Sequence, residues 1–373
     1  MPRPADSVIA VADEGRQRVL LLFGGRSSEH AISCLSAAGV LRALDPQRYE
    51  VSAVGILPDG RWVRASGDPR SLDAHDGALP EVLDSHDPVA LLPEPVGAGL
   101  DHAGVLRDID VVFPVLHGPW GEDGTIQGLL EMAGIPYVGS GVFASAAAMD
   151  KGHMKAMLAQ GGLPVGPYVV ITDREWLQDP TSVKARVAAL GFPVFVKPAR
   201  AGSSVGISKV SDPDLLEAAI REARTWDRRV IVEAAISAAR EIECGVLVDG
   251  SGTPQASRCA EIRITGDHEF YDFEAKYLDD GAELIVPAQM PNAVEDEVRR
   301  LAVKAFDALG CEGLARVDFF VRDDAILVNE VNTMPGFTPI SMFPRMWAEC
   351  GVDYPTLVDR LIADALRKGT GLH

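Results

Sequence analysis

Three side chains with oxygen donors lie close together in the last third of the chain. Asp318 belongs to one apolar run, and Glu330 and Asn332 belong to the next. Because residues two apart on a strand share a face, Glu330 and Asn332 should point the same way. If the runs form a hairpin with a three-residue loop at 323–325, Asp318 lies opposite Glu330. Arg316 then lies opposite Asn332. Magnesium prefers carboxylate and amide oxygens, so the pattern predicts a magnesium site.

The same hairpin has two other interpretations. A two-residue loop would place Asp318 opposite Asn329 and would break the site. Alternatively, the two runs could form an amphipathic hairpin with a solvated acidic face. Arg316 argues against a solvated face because it sits between apolar neighbours. The turn at 332–336 (Asn-Thr-Met-Pro-Gly) also favours a ligand site, since its glycine lets backbone approach a ligand closely.

A lysine at the end of another predicted strand has the features of a phosphate site. Lys197 is followed by a loop of small residues at 198–206, which includes Ser203 and Ser204. Lysine can neutralise phosphate oxygens, and the loop N–H and hydroxyl groups can surround them. The segment does not match GxxxxGK[ST], which excludes a P-loop. Taken alone, it could equally be a flexible surface loop.

Two glycine-rich turns each follow a predicted strand. The first, at 24–30, precedes a helix, where free N–H groups and the helix dipole favour an anion. It could also be a structural turn in which Glu29 caps the helix. The second, at 117–128, has four glycines in twelve residues. His117 fits a ligand crevice at the carboxyl end of a sheet, although it could be structural and Glu122-Asp123 could cap the next helix.

The predicted elements that position these residues alternate in type through the first part of the chain. Strands at 18–23, 51–56, 110–116 and 136–138 alternate with helices at 31–44 and 124–132, which predicts a doubly wound parallel sheet. The stretch at 62–108 is rich in Asp, Pro and Gly, and we interpret it as a surface excursion. A second unit begins near 148, with a helix at 151–159 and strands at 167–171, 193–198 and 230–233. A third has strands at 241–248, 258–264 and 314–332, then a helix at 354–368.

Composition sets limits on the class of protein. The 373 residues, 47% of them hydrophobic, suffice for roughly two or three domains. The formal charge of −19 argues against nonspecific binding to nucleic acid or anionic membranes. A cytoplasmic protein is expected, since no apolar run approaches a membrane span and residues 1–17 lack a signal-peptide core. The five cysteines lack a metal-ligand pattern, which predicts free thiols.

With these segments in order, the chain resembles the D-alanine:D-alanine ligase family of the ATP-grasp superfamily from about Val19 to Ala365. Segments 117–128 and 314–336 carry the resemblance, together with Phe-Tyr-Asp-Phe-Glu-Ala-Lys-Tyr at 270–277, which looks like a mobile loop that closes over the nucleotide. The resemblance implies an α/β fold with a Rossmann-like, doubly wound domain at 1–147. Two α+β domains, at 148–236 and 237–373, would clamp ATP between them.

The resemblance also implies roles for individual residues. ATP would contact Lys151, Lys197, Ser203, Ser204, Glu233, the backbone near Ala235 and Ile236, Glu241 at the ribose, and Lys276. Asp318, Glu330 and Asn332 would hold two Mg²⁺, for which Mn²⁺ can substitute. Glu29, Ser203 and Tyr277 would form a hydrogen-bonded set around the first D-alanine, with Glu29 on its ammonium group and His117 beside it. Arg316 and the Gly336 N–H would stabilise the oxyanion, and Ser341 would bind the second carboxylate.

The sequence departs from the family pattern at two places. Ala201 stands in the phosphate loop where Gly or Glu is more usual. An extra residue in the hinge at 237–241 bears on the assignment of Glu241 to the ribose.

The function implied is ATP-dependent ligation of two D-alanines through a D-alanyl phosphate, for peptidoglycan synthesis, by a homodimer that forms ADP. One alternative is a D-alanine:D-lactate ligase. Tyr277 argues against it, because such enzymes carry a charged or histidine side chain in the mobile loop that discourages an ammonium nucleophile. The other is a catalytically silent ATP-grasp nucleotide sensor, which would require loss of metal or phosphate ligands such as Asp318 or Lys197.

Overall fold

The computed structural model describes residues 15–73, 78–89, 108–202, 205–264 and 282–371. Their strands form three sheets. The first sheet has the order β3-β2-β1-β4. Its strands are β1 (Gln17–Gly24), β2 (Tyr49–Ile56), β3 (Trp62–Arg64) and β4 (Val111–Pro114).

This first sheet is mixed, which corrects the prediction of a wholly parallel one. β1 pairs in parallel with β2 and β4, as predicted, but β3 pairs antiparallel with β2. Residues 62–64 therefore belong to the sheet, although the sequence placed them in a surface excursion. The predicted strand at 136–138 makes only one parallel bridge, between Tyr137 and Val112, because the left-handed Gly139 (φ 103°) ends the extended run.

The other two sheets are antiparallel and lie later in the chain. The second has the order β5-β8-β6-β7, and the third has the order β11-β10-β9-β12-β13. The second consists of β5 (Tyr168–Ile171), β6 (Val194–Pro198), β7 (Ser208–Val210) and β8 (Val230–Ala234). The third consists of β9 (Arg240–Val248), β10 (Pro254–Ile264), β11 (Ala282–Ile285), β12 (Leu314–Arg322) and β13 (Ala325–Asn332).

Helices cover the faces of these sheets. They are α1 (His30–Ala43), α2 (Thr125–Ala133), α3 (Val142–Met149), α4 (Lys151–Gln160), α5 (Asp173–Gln178), α6 (Pro180–Ala188), α7 (Leu216–Trp226), α8 (Asn292–Leu309), α9 (Met342–Ala348) and α10 (Tyr354–Lys368). In the first sheet, α1 and α10 share a core with one face and α2 packs on the other. The closing helix of the chain thus covers the N-terminal sheet.

The remaining cores lie between helices and the two antiparallel sheets. Apolar residues of α5, α6 and α7 pack on the second sheet, and those of α4 and α8 pack on the third. The five cysteines are free, and only Cys350 is exposed. Within the described part of the chain, no helix combines the length and apolar content needed to cross a bilayer.

Candidate functional site

A cavity of about 970 Å³ lies where the three sheets meet. Most of the residues predicted to form a site line it. They are Glu29, His117, Lys151, Lys197, Glu233, Ala235, Ile236, Glu241, Arg316, Asp318, Glu330, Asn332, Gly336 and Ser341. Ser203, Ser204, Lys276 and Tyr277 lie outside the described residues.

The β12–β13 hairpin places Asp318 opposite Glu330, and Arg316 opposite Asn332, as predicted. The reason differs from the predicted one. The loop has two residues, since Arg322 pairs with Ala325, and not three. The register shifts between Asp318 and Phe319, where Phe319 pairs with Val328, so that β13 carries one extra residue. This β-bulge restores the pairing that a two-residue loop would otherwise have broken.

Asn329 is the extra residue, and the acidic row extends beyond the hairpin. Across β9, Glu243 pairs with Asp318 on the side away from Glu330. Directly opposed residues share a sheet face, so three carboxylates lie in a row that faces the cavity. The sequence analysis missed Glu243, because only the pairing of β9 with β12 brings it to the site.

Arg316 balances part of this negative charge. Its Nε and Nη2 donate to the two carboxylate oxygens of Asp318, at 2.7 Å each, and Nε lies 3.3 Å from Glu243 Oε1. Burial opposes the charge on the guanidinium, but the carboxylates of Asp318 and Glu243 raise the pKa of Arg316 above its usual value. The Asn332 amide also donates to Asp318, at 3.0 Å.

The donor set is chemically suited to magnesium, because it consists of two carboxylates and an amide oxygen at the end of one hairpin. Among the described residues, no group of three or more acidic, histidine or cysteine side chains is arranged so that all of them could hold one metal ion. Here Arg316 and Asn332 donate to Asp318, so a cation at Asp318 would share this carboxylate with them.

Buried lysines line the opposite wall of the cavity. The Asp150 carboxylate accepts the N–H groups of Gly152 and His153, at 3.1 Å each, and so begins α4. Lys151 and Lys155 then lie one turn apart on the same side of the helix. Lys151 Nζ donates to Ala201 O at 2.8 Å. It also lies 4.0 Å from Glu330, which connects the phosphate loop with the acidic row.

Glu233 lies between two of the lysines. Its Oε2 is 2.6 Å from Lys197 Nζ, and its Oε1 is 2.8 Å from Lys155 Nζ. Burial disfavours the carboxylate, but the two ammonium groups lower the pKa of Glu233. Glu233 in turn raises the pKa of Lys197 against the effect of burial. Sequence reasoning missed Lys155, although its position four residues after Lys151 on a capped helix was a usable signal.

The hinge between β8 and β9 offers backbone groups to the cavity. The Ala235 N–H donates to Pro193 O at 3.0 Å, so the group that Ala235 can offer a ligand is its carbonyl. Within the hinge, Ala238 takes a left-handed conformation, with φ 56°. Glu241 follows on β9 and lines the cavity.

His117 joins the N-terminal unit to the turn after β13. Ser36 Oγ lies 3.1 Å from its Nε2, and Met334 O lies 3.2 Å from its Nδ1. A neutral ring protonated on Nδ1 satisfies both contacts. Burial is the largest effect on the imidazole and lowers the pKa of His117, in agreement with a neutral ring.

Glu122 is a third residue that the sequence analysis did not assign to the site. The alternative that it caps α2 is wrong for Glu122, since its Oε1 accepts the Gly118 N–H at 2.7 Å. Its neighbour Asp123 does contact the start of α2, where Asp123 Oδ1 accepts the Thr125 N–H at 3.0 Å. Burial, and then the negative charge of Glu29, raise the pKa of Glu122 to about 8. Glu122 thus supports the backbone of the loop that approaches Glu29.

Glu29 precedes α1 but makes no side-chain cap, so the capping alternative is wrong for it too. Its carboxylate lies between the loop at 117–128 and the phosphate loop. A Cβ added at either Gly118 or Gly202 would lie 2.6 Å from Glu29 Oε2. A side chain at either position would therefore displace this carboxylate, and Gly118 also has a left-handed conformation, with φ 74°.

Ser341 lies at the far end of the cavity. Its Oγ is 2.7 Å from Thr338 Oγ1 and accepts the Thr338 N–H at 3.1 Å. A Cβ at Gly336 would lie 3.3 Å from the same Oγ, so the Gly336 backbone and the Ser341 hydroxyl group border the same part of the cavity.

Two family models match this chain in succession. Residues 18–140 match the model described as D-ala D-ala ligase N-terminus, and residues 157–363 match the one described as D-ala D-ala ligase C-terminus. Together they include the segments that form the cavity.

Curated relatives match over almost the full length. The chain is 56% identical to the D-alanine–D-alanine ligase of Mycolicibacterium vanbaalenii, over 96% of this chain and 99% of that protein. Among solved structures, the D-alanine-D-alanine ligase of Coxiella burnetii has a TM-score of 0.79 and 34% identity, over 95% of this chain and 94% of that one. The VanG D-Ala:D-Ser ligase of Enterococcus faecalis has a TM-score of 0.82 and 34% identity, over 94% of this chain and 100% of that one. The chain belongs to the D-Ala-D-Ala ligase family.

Proposed function

We propose that this chain joins two molecules of D-alanine into D-alanyl-D-alanine for peptidoglycan synthesis, with conversion of ATP to ADP and phosphate. One cavity carries the proposal, because it brings together three kinds of group that the reaction needs. Lysines suited to phosphate line one wall, oxygen donors suited to magnesium line another, and the Glu29 carboxylate lies at a third side.

The phosphate side consists of Lys151 and Lys197. The Ala235 carbonyl and the Ile236 backbone would meet the adenine, and Glu241 would hold the ribose. Glu233, which was predicted to meet adenine, would act there by orienting Lys197. Asp318, Glu330 and Asn332 would hold two Mg²⁺, or Mn²⁺. When bound, such ions supply positive charge that stabilises a transferring phosphoryl group.

In the first step, Glu29 holds the ammonium group of the first D-alanine and orients its carboxylate. A carboxylate oxygen forms a bond to the γ-phosphorus of ATP while the bond to the β–γ bridging oxygen breaks. ADP and D-alanyl phosphate result. Much of the acceleration comes from in-line positioning, so no protein nucleophile is needed.

In the second step, the free amine of the second D-alanine attacks the acyl carbon, with its carboxylate held by Ser341. Arg316 and the Gly336 N–H stabilise the oxyanion of the tetrahedral intermediate. The C–N bond forms, the C–O bond to phosphate breaks, phosphate leaves and the nitrogen loses a proton. His117 lies beside the first substrate as a neutral, doubly hydrogen-bonded ring that shapes the pocket.

The proposal also includes four residues outside the described ranges, which are Ser203, Ser204, Lys276 and Tyr277. Lys276 would contact a phosphate, and Tyr277 would hydrogen-bond with Glu29 and Ser203. Closure of the segment that carries Lys276 and Tyr277 would exclude water, which otherwise hydrolyses the acyl phosphate. The domain bounds 1–147, 148–236 and 237–373, a homodimer and a cytoplasmic location also belong to this proposal.

The decisive experiment identifies the product. The purified chain is incubated with ATP, MgCl₂ and D-alanine alone, and then with D-alanine plus D-lactate or D-serine, and products are identified by mass spectrometry. D-Alanyl-D-alanine with stoichiometric phosphate is the expected result. A dominant depsipeptide or mixed dipeptide at neutral pH would change the second substrate, a point that matters because one structural neighbour is a D-Ala:D-Ser ligase. Tight ATP binding without any product would favour the silent sensor.

A further inference from the structure

We infer that Lys155 is a positioning residue that locks the bulge of β13 to Glu233 and so fixes the alignment of Asp318 with Glu330. The inference rests on the proposed function, because it concerns how the metal and phosphate sides of the same cavity are held together.

The contacts of Lys155 span three elements. Its Nζ donates to Asn329 O at 2.9 Å and lies 2.8 Å from Glu233 Oε1. Only 3% of its side chain is exposed, so these two acceptors replace the water that a charged amine would otherwise bind. One ammonium group on α4 therefore joins β8 of the second sheet to β13 of the third.

The contact with Asn329 falls on the irregular residue of the strand. β13 forms the edge of its sheet, and a bulge leaves backbone groups without their regular partners. The chain from α4 onward supplies them. Val331 N–H contacts Met154 Sδ at 3.3 Å, and Val328 N–H donates to Pro164 O at 2.8 Å. Lys155 donates to the Asn329 carbonyl, which lies between these two N–H groups at the bulge.

Loss of this contact would favour a slip of the strand. Without the bulge in its present place, the two-residue turn would align Asp318 with Asn329. Glu330 would then move to the other face of the sheet, away from Asp318. Lys155 thus affects the metal ligands without touching substrate or metal.

The charge on Lys155 has a second consequence. Glu233 is shared by Lys155 and Lys197. If Lys197 turns to a phosphate, Lys155 still neutralises Glu233, so no buried carboxylate is left without a cation. Lys197 can therefore change partner at little electrostatic cost.

The test compares Lys155→Met with a matched control, Lys304→Met. Lys304 also donates its Nζ to a backbone carbonyl, Gly162 O at 2.9 Å, but it lies on the exposed side of α8. Mn²⁺ binding in the presence of a non-hydrolysable ATP analogue is measured from the electron paramagnetic resonance signal of free Mn²⁺. Analogue binding and the KM for D-alanine are measured alongside, and circular dichroism reports folding.

Lys155→Met should weaken Mn²⁺ binding by about 10- to 100-fold, as loss of an outer-sphere partner does. The KM for D-alanine and the behaviour of Lys304→Met should stay near wild type. Wild-type Mn²⁺ affinity in Lys155→Met would overturn the inference. If the wild-type chain itself neither binds Mn²⁺ with the analogue nor forms dipeptide, the proposed function fails instead.

Deletion of Asn329 gives a sharper form of the test. With a two-residue turn and no bulge, the shortened β13 would align Asp318 with Glu330 directly, so Lys155 would no longer set the register. The effect of Lys155→Met on Mn²⁺ binding should shrink to less than about threefold in this background. An undiminished effect would contradict the link to the bulge.

If Lys155→Met does not fold alone, Lys155→Arg carries the comparison, because it keeps the charge but displaces the donor.

Discussion

The Arg316 guanidinium donates a hydrogen bond to each carboxylate oxygen of Asp318, both at 2.7 Å. The two side chains are only 19% and 15% exposed. The arginine proposed for the oxyanion and a carboxylate proposed for the metal are thus partners before any ligand arrives. A cation at Asp318 would compete with Arg316 for the negative charge of this carboxylate. Glu243, whose Oε1 lies 3.3 Å from Arg316 Nε, is a second anionic partner for the guanidinium.

Arg316→Lys should lower kcat by about 10²- to 10³-fold, the usual cost of losing an oxyanion donor. A lysine keeps the charge but cannot reach Asp318 and Glu243 with a planar fork. The KM for ATP should change little. Steady-state phosphate release measures both parameters, and Arg322→Lys, at the exposed end of the same strand, is the control. A kcat within about threefold of wild type would contradict the role of the fork.

Glu243→Gln should raise the Mg²⁺ concentration needed for half-maximal activity by about tenfold, in the range of other outer-sphere substitutions. Without the Glu243 charge, Arg316 depends more strongly on Asp318, so the cation competes less well for that carboxylate. A titration of activity with Mg²⁺ at saturating ATP gives the value. Unchanged Mg²⁺ dependence would mean that Glu243 does not share Arg316.

The hairpin shows what sequence reasoning could and could not establish. The predicted alignment of Asp318 with Glu330 and of Arg316 with Asn332 is confirmed, but it rested on a three-residue loop that the hairpin does not have. The turn length was wrong, because a bulge is a compensating insertion that leaves no mark in the apolar pattern. The contact that we propose to hold the bulge is tertiary, since Lys155 donates to Asn329 O from a helix 174 residues earlier in the chain.

Elements with local signals were predicted best. The closing helix has the predicted bounds, 354–368, because Asp353 caps it and its apolar residues repeat with helical spacing. β3, with three residues, was missed, since so short an edge strand depends on β2 for its pairing. Glu243 was missed for a related reason, because it reaches the site only through the pairing of β9 with β12.

Gly202→Ala should raise the KM for the first D-alanine by roughly tenfold. The added Cβ would lie 2.6 Å from Glu29 Oε2, so the carboxylate must move away and weaken a hydrogen bond to the substrate ammonium group worth about 1.5–3 kcal/mol. Gly250→Ala is the matched control, because a Cβ there has no neighbour within 4 Å among the described residues. Substrate titrations at fixed ATP measure the effect. Equal KM values in the two variants would show that Glu29 does not hold the substrate ammonium group.

The free energy of unfolding of the Glu122→Gln variant should increase relative to that of wild type as the pH rises. Burial, and then the charge of Glu29, raise the pKa of Glu122 from 4.5 to about 8, so the folded state disfavours its ionised form. A raised pKa contributes stability that is complete below about pH 4.5 and is lost as the pH rises to about 8. Glutamine keeps an oxygen for the Gly118 N–H but cannot ionise.

The difference in unfolding free energy between Glu122→Gln and wild type should therefore increase in favour of the variant, by about 1–3 kcal/mol between about pH 5 and pH 8.5. Urea unfolding at several pH values measures it, and Glu222→Gln, on the exposed side of α7, provides the same change of charge at the surface. If the curves for wild type and Glu122→Gln run parallel across this interval, Glu122 is not held in its neutral form beside Glu29. The loop at 117–128 would then have to obtain its stability from the neutral His117 and its contacts with Ser36 and Met334 alone.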